Sequence, residues 1–266
     1  MALLLGLMLG GAWQGAARGN PWSHQPVRMN VNDAPLWVMV WPRGSRVFPA
    51  TGAWRSVPEW LRETGAVAAI NGGFFNHSDG EPVSYVRQDG RLVDDPKGNR
   101  ALMTNPELRS ALPLILNARA AWFVGSEGWG IAPWGTISPD VQDALQAGPV
   151  LLPEPSLEKE AFRLRRRDGT WRDGIQSARR ARRSAIGLRA DGSMVWVVAG
   201  GPGLDIRQLA HAMKQLSCVQ AMALDGGSSS TLAWRGPDER IHWGPDDTKA
   251  TARVRSVLLV FLPGVR

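Results

Sequence analysis

Along most of this chain apolar and polar positions follow the spacing of strands, and helical spacing is clear in only one place. Residues 36–41 (LWVMVW) make an apolar run that stops at Pro42, and residues 67–70 (VAAI) make a shorter one that runs into Asn71-Gly72-Gly73. Both read as strands, the second one buried. A hairpin is expected from residues 83–87 and 91–93, turning at Asp89-Gly90, and a short helix over 139–147. The last third is the most regular. Residues 184–189 and 194–198 flank Asp191-Gly192 as a second hairpin, and Gly200 to Gly203 reads as a strand-to-helix turn. Behind a capping Asp205, the residues Ile206, Leu209, Ala210, Met213 and Leu216 share one helical stripe. Strands are expected over 219–224, 231–234 and 253–261.

Strands outnumber helices, hairpins recur, and one strand-helix-strand unit is present. The expected class is α/β, in the form of a mixed-sheet α+β domain with a surface cleft at strand ends. Residues 30–266 read as one domain without internal repeats. Within it, residues 154–182 are polar and arginine-rich with little periodicity, and are expected to form a flexible insertion or flap.

Composition adds three constraints. Hydrophobic residues make up 44% of the 266 residues and charged ones 21%, enough for a packed core without disulfide staples. The one cysteine, Cys218, has no intrachain partner and is expected as a buried free thiol. The apolar run at residues 1–11, followed by Ala12, Gly15, Ala16 and Ala17, has the form of a signal peptide over residues 1–20, although no basic residue precedes it. The protein is therefore expected to be exported, periplasmic or extracellular if bacterial. No later run suits a membrane span; the best, 257–262, is six residues long.

The net charge of +7 is carried almost wholly by arginine, with lysine only at 97, 159, 214 and 249, and much of it lies between Arg163 and Arg183. Such a surface favours anionic partners. Nucleic acid is not among the expected ones, because no nucleic-acid-binding signature accompanies the charge. A monomer that meets an anionic partner is expected.

Two segments share one grammar, an apolar strand running into a small polar turn: Ile70-Asn71-Gly72-Gly73-Phe74-Phe75 and Leu224-Asp225-Gly226-Gly227-Ser228-Ser229-Ser230. Either alone is readable as a plain turn. Together, the doubled glycines, the three hydroxyls and the two phenylalanines point to a ligand site at strand ends.

These segments, with Ala147-Gly148-Pro149-Val150-Leu151 and Arg183-Ser184-Ala185-Ile186-Gly187, resemble the phosphodiester glycosidase family in content and order, over about residues 35–262. The resemblance implies a single α/β domain that hydrolyses a sugar-1-phosphodiester. It carries over Asn71, Gly72, Gly73, Gly148, Arg183, Asp225, Gly226, Gly227 and Ser228 as site residues, with Phe74 and Ser229 beside them. Asp225 is then expected as the catalytic carboxylate, nucleophile or general base, and Arg183 as the phosphate partner. Asn71, Ser228 and Ser229 would hydrogen-bond sugar or phosphate oxygens. A phosphate leaving group needs little protonation; if a second carboxylate acts, Asp79 and Glu81 are the candidates.

No cofactor is expected. Asp225 and Asn71 offer oxygen ligands for a divalent cation, but no dedicated cluster accompanies them. His24, His77, His211 and His242 are dispersed and form no zinc motif. Gly227-Ser228-Ser229-Ser230 lacks the elbow of a serine hydrolase. Asn76-His77-Ser78 fits a glycosylation sequon, although a glycan there would obstruct the site. Trp122, Trp129, Trp134 and Trp171 are candidates for stacking on sugar rings. The alternative to an enzyme is an envelope module that binds an anionic glycan without cleaving it.

Overall fold

The computed structural model describes residues 25–246, 248 and 251–262. The expected signal peptide at 1–20 and the domain's last residues, 263–266, lie outside the described residues. Among the described residues three sheets of five or six strands and one two-stranded hairpin build the fold, with every ladder antiparallel. The first has six strands in the order Val27–Val31, Ala34–Trp41, Met194–Leu204, Ala181–Arg189, Cys218–Ala223, Val150–Leu152. The second has five: Ile241–Gly244, Leu232–Arg235, Ala68–Asn71, Arg253–Phe261, Arg46–Ser56. The third runs Arg91–Asp94, Val86–Gln88, Ala144–Gln146, Ala120–Gly125, Gly128–Pro133.

Strand periodicity divides the core into layers, because successive side chains leave on opposite faces. From the six-stranded sheet, Trp37, Met39, Trp41, Ile186, Trp196 and Met222 enter a central core shared with Ile70, Leu258, Trp122 and Leu145 of the other two sheets. Their alternates Leu36, Val38, Ala185, Val197 and Ala221 face the helix Ile206–Gln215. That helix is the predicted one. Asp205 accepts from the N–H of Gln208 at 2.7 Å while the Gln208 side chain accepts from the N–H of Asp205 at 3.0 Å, a reciprocal capping box. The strand-helix-strand unit is split, since Ala181–Arg189 lies between the two strands that the helix connects. A second helix, Val57–Thr64, capped by Ser56 and Glu59, covers the outer face of the second sheet. Cys218 is buried, and burial pushes its thiol up to about 12.

Three expectations change. Residues 139–147 hold no helix: Ala144–Gln146 is fully buried as the central strand of the third sheet, and pairing on both sides overrides its helical propensity. Gly200 to Gly203 does not end its strand, which continues to Leu204 with Gly201 and Gly203 at positive φ. The segment 154–182 is built into the fold through buried Glu160, Ala161 and Phe162, and it carries a hairpin of Arg163–Arg165 and Trp171–Asp173. Among the described residues no helix is long and apolar enough to cross a membrane.

Candidate active site

The two strand ends singled out in the sequence lie side by side and are bolted together. Asn71, at the end of Ala68–Asn71, is fully buried. Its amide Nδ2 donates to the carbonyl of Asp225 at 2.8 Å, and its Oδ1 accepts from Ser184 Oγ at 2.7 Å and from the N–H of Thr231 at 3.1 Å. Returning the contact, the N–H of Asp225 donates to the Gly72 carbonyl at 3.0 Å. The side chain of Asn71 therefore joins the first and second sheets at the point where the chain enters the Asp225 loop.

Gly72 and Gly73 are glycines for lack of room. A Cβ on Gly72 would stand 2.6 Å from Ser256 Oγ and 2.9 Å from the Ser256 backbone, and one on Gly73 would stand 2.4 Å from the Gln146 carbonyl. The second pair has room by contrast, a Cβ on Gly226 meeting nothing nearer than Arg183 Nη1 at 3.4 Å. Gly227 has φ of +62° and nothing within 4 Å of a would-be Cβ.

Asp225 itself is unlike its counterpart. Oδ1 accepts from the N–H of Gly226 at 3.0 Å, while Oδ2 is buried without a hydrogen-bond partner. Burial pushes the carboxyl up to about 6, against the opposing pulls of Ser229, His77 and the Gly226 amide. The hydroxyl of Ser229 is buried nearby; it makes no close hydrogen bond, yet it stands near enough to Asp225 to pull its pKa down. A carboxyl with one uncommitted oxygen and a pKa near neutrality is the form that proton transfer or nucleophilic attack requires.

Asp225 lines a cavity of about 600 Å³. Of the residues expected at the site, Phe74, Gly148, Arg183, Gly226, Gly227 and Ser228 also line it; Asn71, Gly72, Gly73 and Ser229 do not. Gly148 has φ of +104°, and a Cβ there would meet Glu160 Oε2 at 2.4 Å, so both conformation and space call for glycine. Arg183 is 6% exposed and largely committed to the protein. Its guanidinium donates to the carbonyls of Leu204, Ile175, Gln176 and Arg179 at 2.9–3.2 Å, which ties down residues 175–179 and so holds Ile175 and Gln176 in the cavity wall.

The sequence reading passed over three groups. His77, exposed at the rim and packed on Phe75 with 4.6 Å between rings, lies close enough to Asp225 to lower its pKa. Arg119 is a buried residue of the lining, and Glu160 is buried behind it outside the lining, its carboxylate accepting from the N–H of Ala120 at 2.8 Å and of Val150 at 2.6 Å. Asp79 and Glu81 do not line the cavity; the Asp79 carboxylate closes its own turn by accepting from Asn76 Nδ2 and the Glu81 N–H. Nor do Trp122, Trp129, Trp134 and Trp171. Trp122 is a core residue, and Trp134 stacks on Tyr85 at 4.6 Å. Among the described residues no group of three histidine, cysteine or acidic side chains is placed to hold a metal ion. The cavity lining thus carries Arg119, Arg172, Arg183 and His77 against the single carboxylate of Asp225.

Comparison with known proteins adds to this geometry. No curated protein matches the chain. The fold is similar to that of the catalytic domain of zebrafish N-acetylglucosamine-1-phosphodiester alpha-N-acetylglucosaminidase, auto-inhibited by its pro-peptide, at 16% identity and a TM-score of 0.60 over 89% of this chain and 81% of that one. It is similar also to a Synechocystis protein at 17% identity and a TM-score of 0.60, over 89% of this chain and 61% of that one. A candidate exported protein of Burkholderia pseudomallei aligns at 16% identity and a TM-score of 0.59, over 86% of this chain and 74% of that one. These likenesses show the fold. The sequence profile of the phosphodiester glycosidases matches residues 64–261, well over half of the chain, and the protein belongs to that family.

Proposed function

We propose that the protein is an exported hydrolase that cleaves a sugar-1-phosphodiester in an envelope or extracellular glycan, with Asp225 as its catalytic carboxylate. One observation carries this reading: the cavity's single carboxylate has an uncommitted buried oxygen, and every other ionisable group in the lining is cationic or a histidine. Such a site attracts a substrate that bears negative charge, and it applies one carboxylate to that substrate.

With its pKa raised to about 6, Asp225 is mostly ionised at neutral pH and ready to act. It attacks the anomeric carbon directly or takes a proton from a water that does so, and the C1–O bond breaks toward phosphate. A phosphate monoester leaves without prior protonation, which fits the absence of Asp79 and Glu81 from the lining. Asn71 is a positioning residue in this scheme: it holds the Asp225 carbonyl and so the start of the loop. Arg183 positions the 175–179 wall, and exposed Ser228 offers its hydroxyl to the substrate. The zebrafish relative's substrate type and the exported neighbour support the chemistry and the location proposed.

A phosphatase-coupled assay on sugar-1-(p-nitrophenyl phosphate) diesters tests the reading. Sugar and aryl phosphate should both appear, with oxygen from labelled water on the sugar. Hydrolysis of bis(p-nitrophenyl) phosphate alone, or label on the phosphate, would overturn it.

A further inference from the structure

The cavity contains a second arginine whose situation is the reverse of that of Arg183. Arg119 follows the helical turn Leu114–Ala118 and is 7% exposed. Its guanidinium carbon lies 4.3 Å from the centre of the Phe162 ring and 5.7 Å from that of Phe74, and the two rings are 5.4 Å apart. Nε donates to the Glu160 carbonyl at 3.3 Å. Among the described residues neither Nη finds an acceptor, so this cavity-lining residue keeps four N–H donors unused.

Its charge is not cancelled by an ion pair either. The Glu160 carboxylate is occupied by the amides of Ala120 and Val150 and by the hydroxyl of Ser156. Glu160 favours the charged form of Arg119 through space without pairing with it. Arg172, on the same lining, repels Arg119. Burial lowers the Arg119 pKa only to about 10, so the group remains a cation at neutral pH. A buried cation with uncommitted donors is costly unless an anion completes it, and a planar fork matches two oxygens of a phosphate.

We propose that Arg119, packed against Phe162 and Phe74, is the phosphate-binding residue of this cavity, and that Arg183 is a builder of its wall. This inference takes its substrate from the phosphodiester reading above, but its test does not depend on turnover. Full-length protein is titrated with inorganic phosphate by calorimetry, alongside Arg119→Gln, Arg119→Lys and Arg166→Gln, the last an exposed arginine of the hairpin outside the cavity. The parent and Arg166→Gln should bind phosphate equally. Arg119→Gln should bind about 10–100-fold more weakly, the loss expected for a charged hydrogen-bonding group. Arg119→Lys keeps the charge without the fork and should fall between them; it decides the question if the glutamine variant does not fold, as judged by melting.

Phosphate affinity unchanged in both Arg119 variants, or equally reduced in Arg166→Gln, overturns the inference, as does a parent that does not bind phosphate. Binding that depends on Arg119 in a parent with no phosphodiester turnover supports it, and the failure is then that of the catalytic reading alone.

Discussion

Ile70-Asn71-Gly72-Gly73 and Leu224-Asp225-Gly226-Gly227 are written almost alike, and the fold puts them to opposite uses. The Asn71 amide is spent inside the protein on Asp225, Ser184 and Thr231. The Asp225 carboxyl holds one bond, to Gly226, and keeps an oxygen free. The first glycine pair is pressed against Ser256 and Gln146, and Gly227 of the second stands in open space. One strand end is an anchor and the other is a working surface. An amide suits the anchor because it donates and accepts at once, and an ionisable acid suits the surface because it changes state.

The contrast can be broken at several points, which differ in the size of the expected effect. Removing the ionisable group by Asp225→Asn should lower kcat/KM on a sugar phosphodiester by about 10²–10⁴-fold, the range over which general acid–base groups contribute. Steady-state kinetics on folded protein measures this. Cutting the anchor by Asn71→Ala leaves the Ser184 hydroxyl, the Thr231 amide and the Asp225 carbonyl without their partner, and should destabilise by about 3 kcal/mol in denaturant unfolding. Crowding the anchor's glycine by Gly73→Ala meets the Gln146 backbone and should lose about 1–3 kcal/mol of stability.

The working acid should itself be a strain on the fold. Because its pKa is raised, the folded state holds the proton more tightly than the unfolded chain does. Stability from this group is full below about pH 4, declines as pH rises toward about 6, and stays reduced above that. Asp225→Asn should remove this decline and melt higher than the parent at neutral pH, by an amount on the order of 1 kcal/mol. Ser228→Ala, at an exposed position on the lining, should change KM by only about 2–5-fold, the scale of one solvent-exposed hydrogen bond.

Much of this was legible where the signals are local. The capped helix after Asp205, the hairpin at Asp191-Gly192 and the strand Arg253–Phe261 follow from pattern alone. Less was legible where neighbours decide. Ala144–Gln146 becomes a strand because two other strands flank it. The edge strand Val27–Val31 does alternate apolar and polar positions but over only five, mostly exposed residues, and Arg46–Ser56, interrupted by Pro49 and Gly52, shows no clean alternation. The helix Val57–Thr64 did carry a readable cap in Ser56, Pro58 and Glu59.

The site divides in the same way. The Asp225 loop is visible as a motif, but the distinct duties of the two glycine pairs depend on Ser256 and Gln146, far along the chain. Arginine density drew attention to residues 163–183, whereas the uncommitted cation of the cavity is Arg119, made distinctive by Glu160 and Phe162, some forty positions away.

The claim that Asp225 works as an ionised carboxylate is tested most directly by the pH dependence of kcat/KM on a sugar phosphodiester, whose own phosphate does not titrate in this range. Between about pH 4.5 and about pH 7.5 the rate should climb and level off, with its midpoint near the value of about 6 that burial gives Asp225. A rate that is flat over that interval, or one that falls as the pH rises through it, would contradict the account.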